Sequence, residues 1–161
     1  MEVSGVVVDP NAKTPIVVLK THDGNKILPI WIGIMEAGAI AAALENIVPP
    51  RPMTHDLLAN TVDELGAKIL RVEVCKIEDS TFYAEITMSV GSRIVDIDSR
   101  PSDAIALALR TRTPIHVAEA VVDSAGVVVE TAGANESGEE SEKIKDMLAN
   151  LPDDIFGKYK M

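Results

Sequence analysis

Two short strings in the chain set out similar residue types in the same order: Arg51-Pro52-Met53-Thr54-His55-Asp56 and Arg100-Pro101-Ser102-Asp103. Each runs Arg-Pro, then a hydroxyl residue and an aspartate, where a helix is expected to begin. A helix N-terminus carries unsatisfied N–H groups and a partial positive charge, so it can hold a phosphate oxygen. An arginine just upstream adds a planar fork of donors suited to phosphate, which gives Arg51 and Arg100 a phosphate-binding role. Asp56, Asp98 and Asp103 supply hard oxygen ligands of the kind that Mg²⁺ or Mn²⁺ takes. His55 can accept a proton from an attacking water near neutral pH. Together they form a kit for metal-assisted phosphodiester hydrolysis, with His55, Asp56, Asp98 and Asp103 as its catalytic candidates.

A structural role competes with chemistry at every one of these positions. Thr54, Ser102, Asp56 and Asp103 are favoured types at helix caps and first turns, where a cap is worth about 0.5–2 kcal/mol. Arg51 and Arg100 can pair with such carboxylates on the surface, and Glu36, at the start of an Ala-rich stretch, is equally ambiguous. Asp96 and Asp98 share one face of a strand, an arrangement that calls for a cation or an arginine beside them. On this alternative the protein is a non-catalytic homo-oligomeric scaffold, or a module that binds a small anion or another protein.

Several classes drop out. Gly33 and Gly38 have P-loop spacing, but Ala39-Ile40 stand where Lys and Ser/Thr are needed. There is no G-x-G-x-x-G and no G-x-S-x-G, and His22, His55 and His116 form no H-E-x-x-H pair. No nucleotide or organic cofactor is therefore expected. Cys75 is the single cysteine and falls within a strand pattern, which suits a packed thiol in a reducing compartment. The net charge is −10 and aromatic residues make up 3%, which disfavours a coat on nucleic acid or a base-stacking platform. An acidic enzyme can still act on nucleic acid if bound metal supplies the positive charge, so nucleic acid is expected as a substrate at most and not as a stable partner. No apolar run nears the roughly 18 residues of a membrane span, and no secretory signal opens the chain, so a cytoplasmic protein without a membrane partner is expected.

The elements that must hold these residues read as an α+β domain over residues 1–130, a mixed β-sheet with packed helices. β-branched runs at Val6 to Val8 and Ile16 to Leu19, then Lys26 to Ile32, read as strands. The Ala-rich stretch from Met35 to Ile47 reads as a helix ended by Pro49, Pro50 and Pro52. Thr54 is expected to cap a second helix whose apolar positions Leu58, Val62 and Leu65 precede Gly66. Alternation at Leu70 to Val74 and at Phe82 to Val90 predicts half-buried strands, followed by a strand at Arg93 to Asp98 and a helix at Pro101 to Arg110. Short strands at Pro114 to Ala118 and Val127 to Val129 close the body. The two Arg-Pro strings, each downstream of a strand, suggest an internally duplicated strand–helix unit. Residues 131–142 read as an acidic flexible linker, and residues 143–161 as a short amphipathic helical tail with Ile144, Met147, Leu148 and Leu151 on one stripe.

At these strings the chain resembles the bifunctional nuclease family. The resemblance covers most of residues 1–130. It rests on Leu28-Pro29-Ile30-Trp31-Ile32-Gly33 with Glu36, on Arg51 to Leu58, on Phe82-Tyr83-Ala84, and on Asp98-Ser99-Arg100-Pro101-Ser102-Asp103-Ala104-Ile105. The ending Phe156-Gly157-Lys158-Tyr159-Lys160-Met161 is similar to that of bacterial members with such tails. The resemblance implies a nuclease of low sequence preference acting on DNA and RNA, and an α+β fold that forms homo-oligomers. It brings no assignment of catalytic residues, so the site remains the one argued from residue chemistry.

Overall fold

The computed structural model describes residues 1–9 and 12–129. The linker expected at 131–142 and the tail helix expected at 143–161 lie outside the described residues. Eight strands and four helices follow one another among the described residues. These are β1 (Glu2–Val8), β2 (Pro15–Lys20), β3 (Lys26–Trp31), α1 (Ile34–Leu44), α2 (Thr54–Glu64), β4 (Ala67–Glu78), β5 (Thr81–Val90), β6 (Arg93–Ser99), α3 (Pro101–Thr111), β7 (Ile115–Val117), α4 (Glu119–Ala125) and β8 (Val127–Val128). The α+β class holds. The strands form two four-stranded sheets, however, where one was expected. The first, in the order β1-β2-β3-β8, is antiparallel throughout; the second, β6-β5-β4-β7, is mixed because β7 runs parallel to β4.

The apolar run Ile16 to Leu19 is buried on both faces of its sheet, which is why it does not alternate with polar residues. Val17 and Leu19 join Leu28 and Ile30 in the main core, while Ile16 and Val18 pack with Val7 and Ile27 on the other side. In the second sheet β5 alternates, whereas β4 shifts register between Ile69 and Arg71 and again between Val74 and Lys76. Ile69 therefore packs on the core and Leu70, expected inward, is exposed. Phe82, Ala84, Ile86 and Met88 of β5 point into the core, and Tyr83, Glu85, Thr87 and Ser89 take the opposite face. Helix α3 lies against β4 and β5 and buries Ala104 to Ala108, and α1 and α2 both pack on α3. Ile40 of α1 and Ile105 of α3 are fully buried, each worth about 1.5–3 kcal/mol of apolar burial.

Several expectations need correction. Helix α1 stops at Leu44, short of Ile47, because Asn46 takes a left-handed conformation (φ 54°) before the prolines are reached. Helix α2 buries no residue: Leu58 and Leu65 are exposed, and of the expected face only Val62 packs on the core. Gly66 does end that helix, with φ 68°. Met53 occupies the N-cap in place of Thr54, which is the first helical residue. Helix α4 was not anticipated, since seven residues are too few to show a period. The expected duplication has a structural counterpart of a different kind: a three-strand meander followed by a helix occurs as β1-β2-β3-α1 and as β4-β5-β6-α3. The first Arg-Pro string precedes α2, one helix later than that repeat would require.

Candidate active site

Proline at the first position of a helix loses no hydrogen bond and holds the preceding residue extended. Pro101 does this for α3, so Arg100 sits at the N-cap with φ −71° and ψ 144° and Asp103 falls in the first turn. His55 and Asp56 occupy the first turn of α2, and Glu36 that of α1. Because α1 and α2 both pack on α3, these helix starts are brought side by side. Asp103 bridges two partners, one per oxygen. Its Oδ1 lies 3.0 Å from His55 Nε2, and its Oδ2 accepts from Arg100 Nε at 2.7 Å. Arg100 then donates through Nη1 to Glu36 Oε1 at 2.9 Å. The line Glu36–Arg100–Asp103–His55 thus ties all three helices together.

Burial pushes the Asp103 carboxyl upward, but hydrogen bonds from Arg100 and His55 outweigh it and hold the group below the usual carboxylate range. An ionised carboxylate only accepts hydrogen bonds. In neutral His55 the proton therefore sits on Nε2, and Nδ1 carries the basic lone pair. Nδ1 makes no hydrogen bond to a described residue, and the His55 side chain keeps 14% of its surface exposed. Arg100 is 53% exposed and uses two of its donors on Asp103 and Glu36, which leaves others in the fork for an anion. Gly33 at the N-cap of α1 helps, because a Cβ there would collide with the Glu36 carboxylate.

Asp56 lies beside His55 in sequence but serves a different purpose. It accepts from the Met53 backbone N–H at 2.9 Å and from Arg110 Nε. The Met53 hydrogen bond, helped by Arg110, holds its carboxyl below the usual range against an opposing effect of burial. Arg110 also donates to the carbonyls of Ala39 at 3.1 Å and Ala106 at 2.9 Å, so it clamps α1, α2 and α3. Asp98 is elsewhere. On β6 it stands opposite Glu85 of β5, on the face that Asp96 shares with Thr87, while α3 packs on the other face of β4 and β5. The expected Asp96–Asp98 pair is met by a hydroxyl: Thr87 Oγ1 donates to Asp96 at 2.6 Å. Arg51 is exposed before α2 and makes no ion pair among the described residues. Ser102 Oγ, buried between Arg100 and Asp103 in sequence, has no hydrogen-bond partner among the described residues.

The structure therefore unites His55, Asp103 and Arg100, and adds Glu36. Asp56, Asp98 and Asp103 do not form one ligand set within a chain: two are engaged by arginines and the third points from another face. Among the described residues no group of three or more His, Cys, Asp or Glu side chains is arranged to hold a metal ion. Among the described residues the expected Mg²⁺ or Mn²⁺ ligands Asp56, Asp98 and Asp103 are thus not gathered at one point. Sequence reasoning missed Arg110. A signal was present, since Asp103 and Arg110 are seven residues apart and so lie on one side of α3.

Residues 17–130 match the family model described as the bifunctional nuclease domain. An uncharacterised protein of Mycobacterium tuberculosis is 36% identical over 161 residues, covering 97% of this chain and 96% of that protein. Bifunctional nuclease 1 of Arabidopsis thaliana is 35% identical over 126 residues, 76% of this chain and 39% of the plant protein. Bifunctional nuclease 2 of Oryza sativa subsp. japonica is 31% identical over 121 residues, 73% and 37% respectively. The chain thus spans about two fifths of the length of these plant relatives.

Proposed function

The chain belongs to the bifunctional nuclease domain family, and on that premise we propose that it cleaves phosphodiester bonds in DNA and RNA with low sequence preference, at the site where α1, α2 and α3 begin. The observation that carries this reading is the carboxylate of Asp103 shared between His55 and Arg100. His55 Nδ1 acts as general base toward the attacking hydroxyl. Arg100, at the N-terminus of α3, takes the non-bridging phosphate oxygens, whose negative charge grows in the transition state. Asp103 holds the imidazole in the required tautomer, and Glu36 holds the guanidinium. Arg51 guides the strand toward the site. A divalent cation enters this reading only as one carried in on the nucleic-acid phosphates, because the candidate carboxylates are committed to arginines or face away.

The proposal places the protein in the cytoplasm, in keeping with its single free thiol. It also has the chain self-associate, which the exposed Ile34 and Met35 on α1 and Met53 and Leu57 at α2 favour. Light scattering of the purified chain checks this; a strict monomer contradicts it. The function is tested with labelled single-stranded DNA and RNA incubated with EDTA, Mg²⁺ or Mn²⁺, beside an identically purified Asp103→Asn protein. Cutting by the wild type that fades in the folded variant is the expected result. Equal cutting by both proteins, or none by either, contradicts the proposal and leaves the scaffold reading.

A further inference from the structure

We infer that on RNA the nucleophile at this site is the substrate's own 2′-hydroxyl, so that RNA is cut without a metal ion and left with a 2′,3′-cyclic phosphate end. This rests on the nuclease reading and narrows it. Three observations lead there. The described residues gather no group of three or more metal-ligating side chains, so a nucleophile that needs no resident metal to activate it suits the site. One imidazole is presented with Nε2 bound to Asp103 and Nδ1 without a bond to a described residue. One guanidinium stands at a helix N-terminus with donors to spare. A base and an anion clamp suffice when the nucleophile is already attached to the substrate, because an intramolecular attack gains an effective molarity of roughly 10⁵–10⁸ M. DNA lacks the 2′-hydroxyl and must recruit a free water, with no such gain.

The step balances without an oxidant or other co-reactant. His55 Nδ1 takes the proton of the 2′-hydroxyl, and the oxygen's electron pair forms the O2′–P bond. The P–O5′ bond breaks, its electron pair goes to O5′, and O5′ takes a proton from water. The imidazolium returns its proton to the hydroxide so formed. Arg100 holds the non-bridging oxygens throughout, including in the five-coordinate state where their charge is greatest.

The test uses the full chain, in EDTA, on a labelled DNA strand carrying one ribonucleotide, beside the same strand with that residue 2′-O-methylated and an all-DNA strand. The expected result is a single cut on the 3′ side of the ribonucleotide. Mass spectrometry should find an end one water lighter than the linear phosphate, and the other two strands should stay intact. His55→Ala should slow the cut at least about 100-fold, which separates it from a contaminating ribonuclease; His55→Gln serves if the alanine variant fails to fold. Cleavage that needs added Mg²⁺ or Mn²⁺, or that leaves 3′-hydroxyl and 5′-phosphate ends, overturns this inference while the nuclease reading stands. No cleavage of any strand, even with metal, overturns both. Equal cutting by the folded His55 variants overturns the site and with it the inference.

Discussion

The Asp103 carboxylate is the residue on which the site turns, since it accepts from His55 and Arg100 at once. Asp103→Asn keeps the shape but presents an amide N–H to one of the two donors, which reverses the imidazole tautomer or releases Arg100. Cleavage is expected to fall by about 10³-fold or more with the fold intact, as checked by circular dichroism beside single-turnover kinetics. Acid stability should show both engaged carboxylates. Asp103 and Asp56 titrate below their ordinary value of about 3.9 when folded. A depressed folded value means that the contribution is complete above the unfolded value and is lost as pH falls through the folded one. Urea midpoints should therefore hold level from neutral pH to about 5 and drop below about 4, less steeply in Asp56→Asn. Ser102→Ala removes a buried hydroxyl that lacks a partner among the described residues, and should leave stability unchanged or raise it by about 1 kcal/mol in urea titrations. That His55, Arg100 and Asp103 each belong to a helix start was legible in the chain, because both strings read as helix starts; that the two starts meet was not, since it depends on how α2 packs on α3. The misplacement of Asp98 was legible too: it shares strand parity with Ile94 and Asp96, opposite to Val95, which packs on the core. What residue types could not show was which carboxylate each arginine takes.

At the scale of elements, the site exists because α3 presents its start to the starts of α1 and α2 and its end to Asp56. Arg110 makes that docking specific, and its side chain is only 13% exposed. Arg110→Ala strands the Asp56 carboxylate and a helix carbonyl, so a loss of about 2 kcal/mol is expected in urea denaturation, with weaker cleavage as α2 loosens. Gly33→Ala acts on the site alone. The added Cβ displaces the Glu36 carboxylate, at the far end of a flexible side chain, while the backbone angles at Gly33 suit alanine. Cleavage should fall about tenfold, the equivalent of one hydrogen bond of roughly 1.4 kcal/mol, without a change in melting temperature. Strands and long helices were legible from periodicity and breakers. Helix α2 misled because its leucines suggested a buried face, whereas it lies outside α3 with Leu57, Leu58 and Leu65 exposed. The split into two sheets was not legible, since alternation reports which residues share a face and not which strands are neighbours.

For the molecule as a whole, the proposed cleavage makes charge decide how nucleic acid would be met. A chain of net charge −10 cannot neutralise a long run of phosphates, so on the proposed reading the encounter rests on Arg100 and on Arg51, which precedes α2. Two phosphate contacts release few counterions. The logarithm of KM should rise against the logarithm of salt with a slope of about 2 or less, where a coating protein shows a far steeper one. Charge and the α+β class were readable from composition and order. The placement of the site where three helices start was not, because it depends on contacts between elements far apart in the chain.

The most direct measurement is chemical rescue of His55→Ala. Labelled RNA is followed under single-turnover conditions with the wild type, with the variant, and with the variant plus added imidazole. The variant is expected to cut at least about 100-fold more slowly, and imidazole should restore part of the rate in a concentration-dependent way that leaves the wild type unaffected. A folded variant that cuts as fast as the wild type, or one that imidazole does not restore, contradicts His55 as the base.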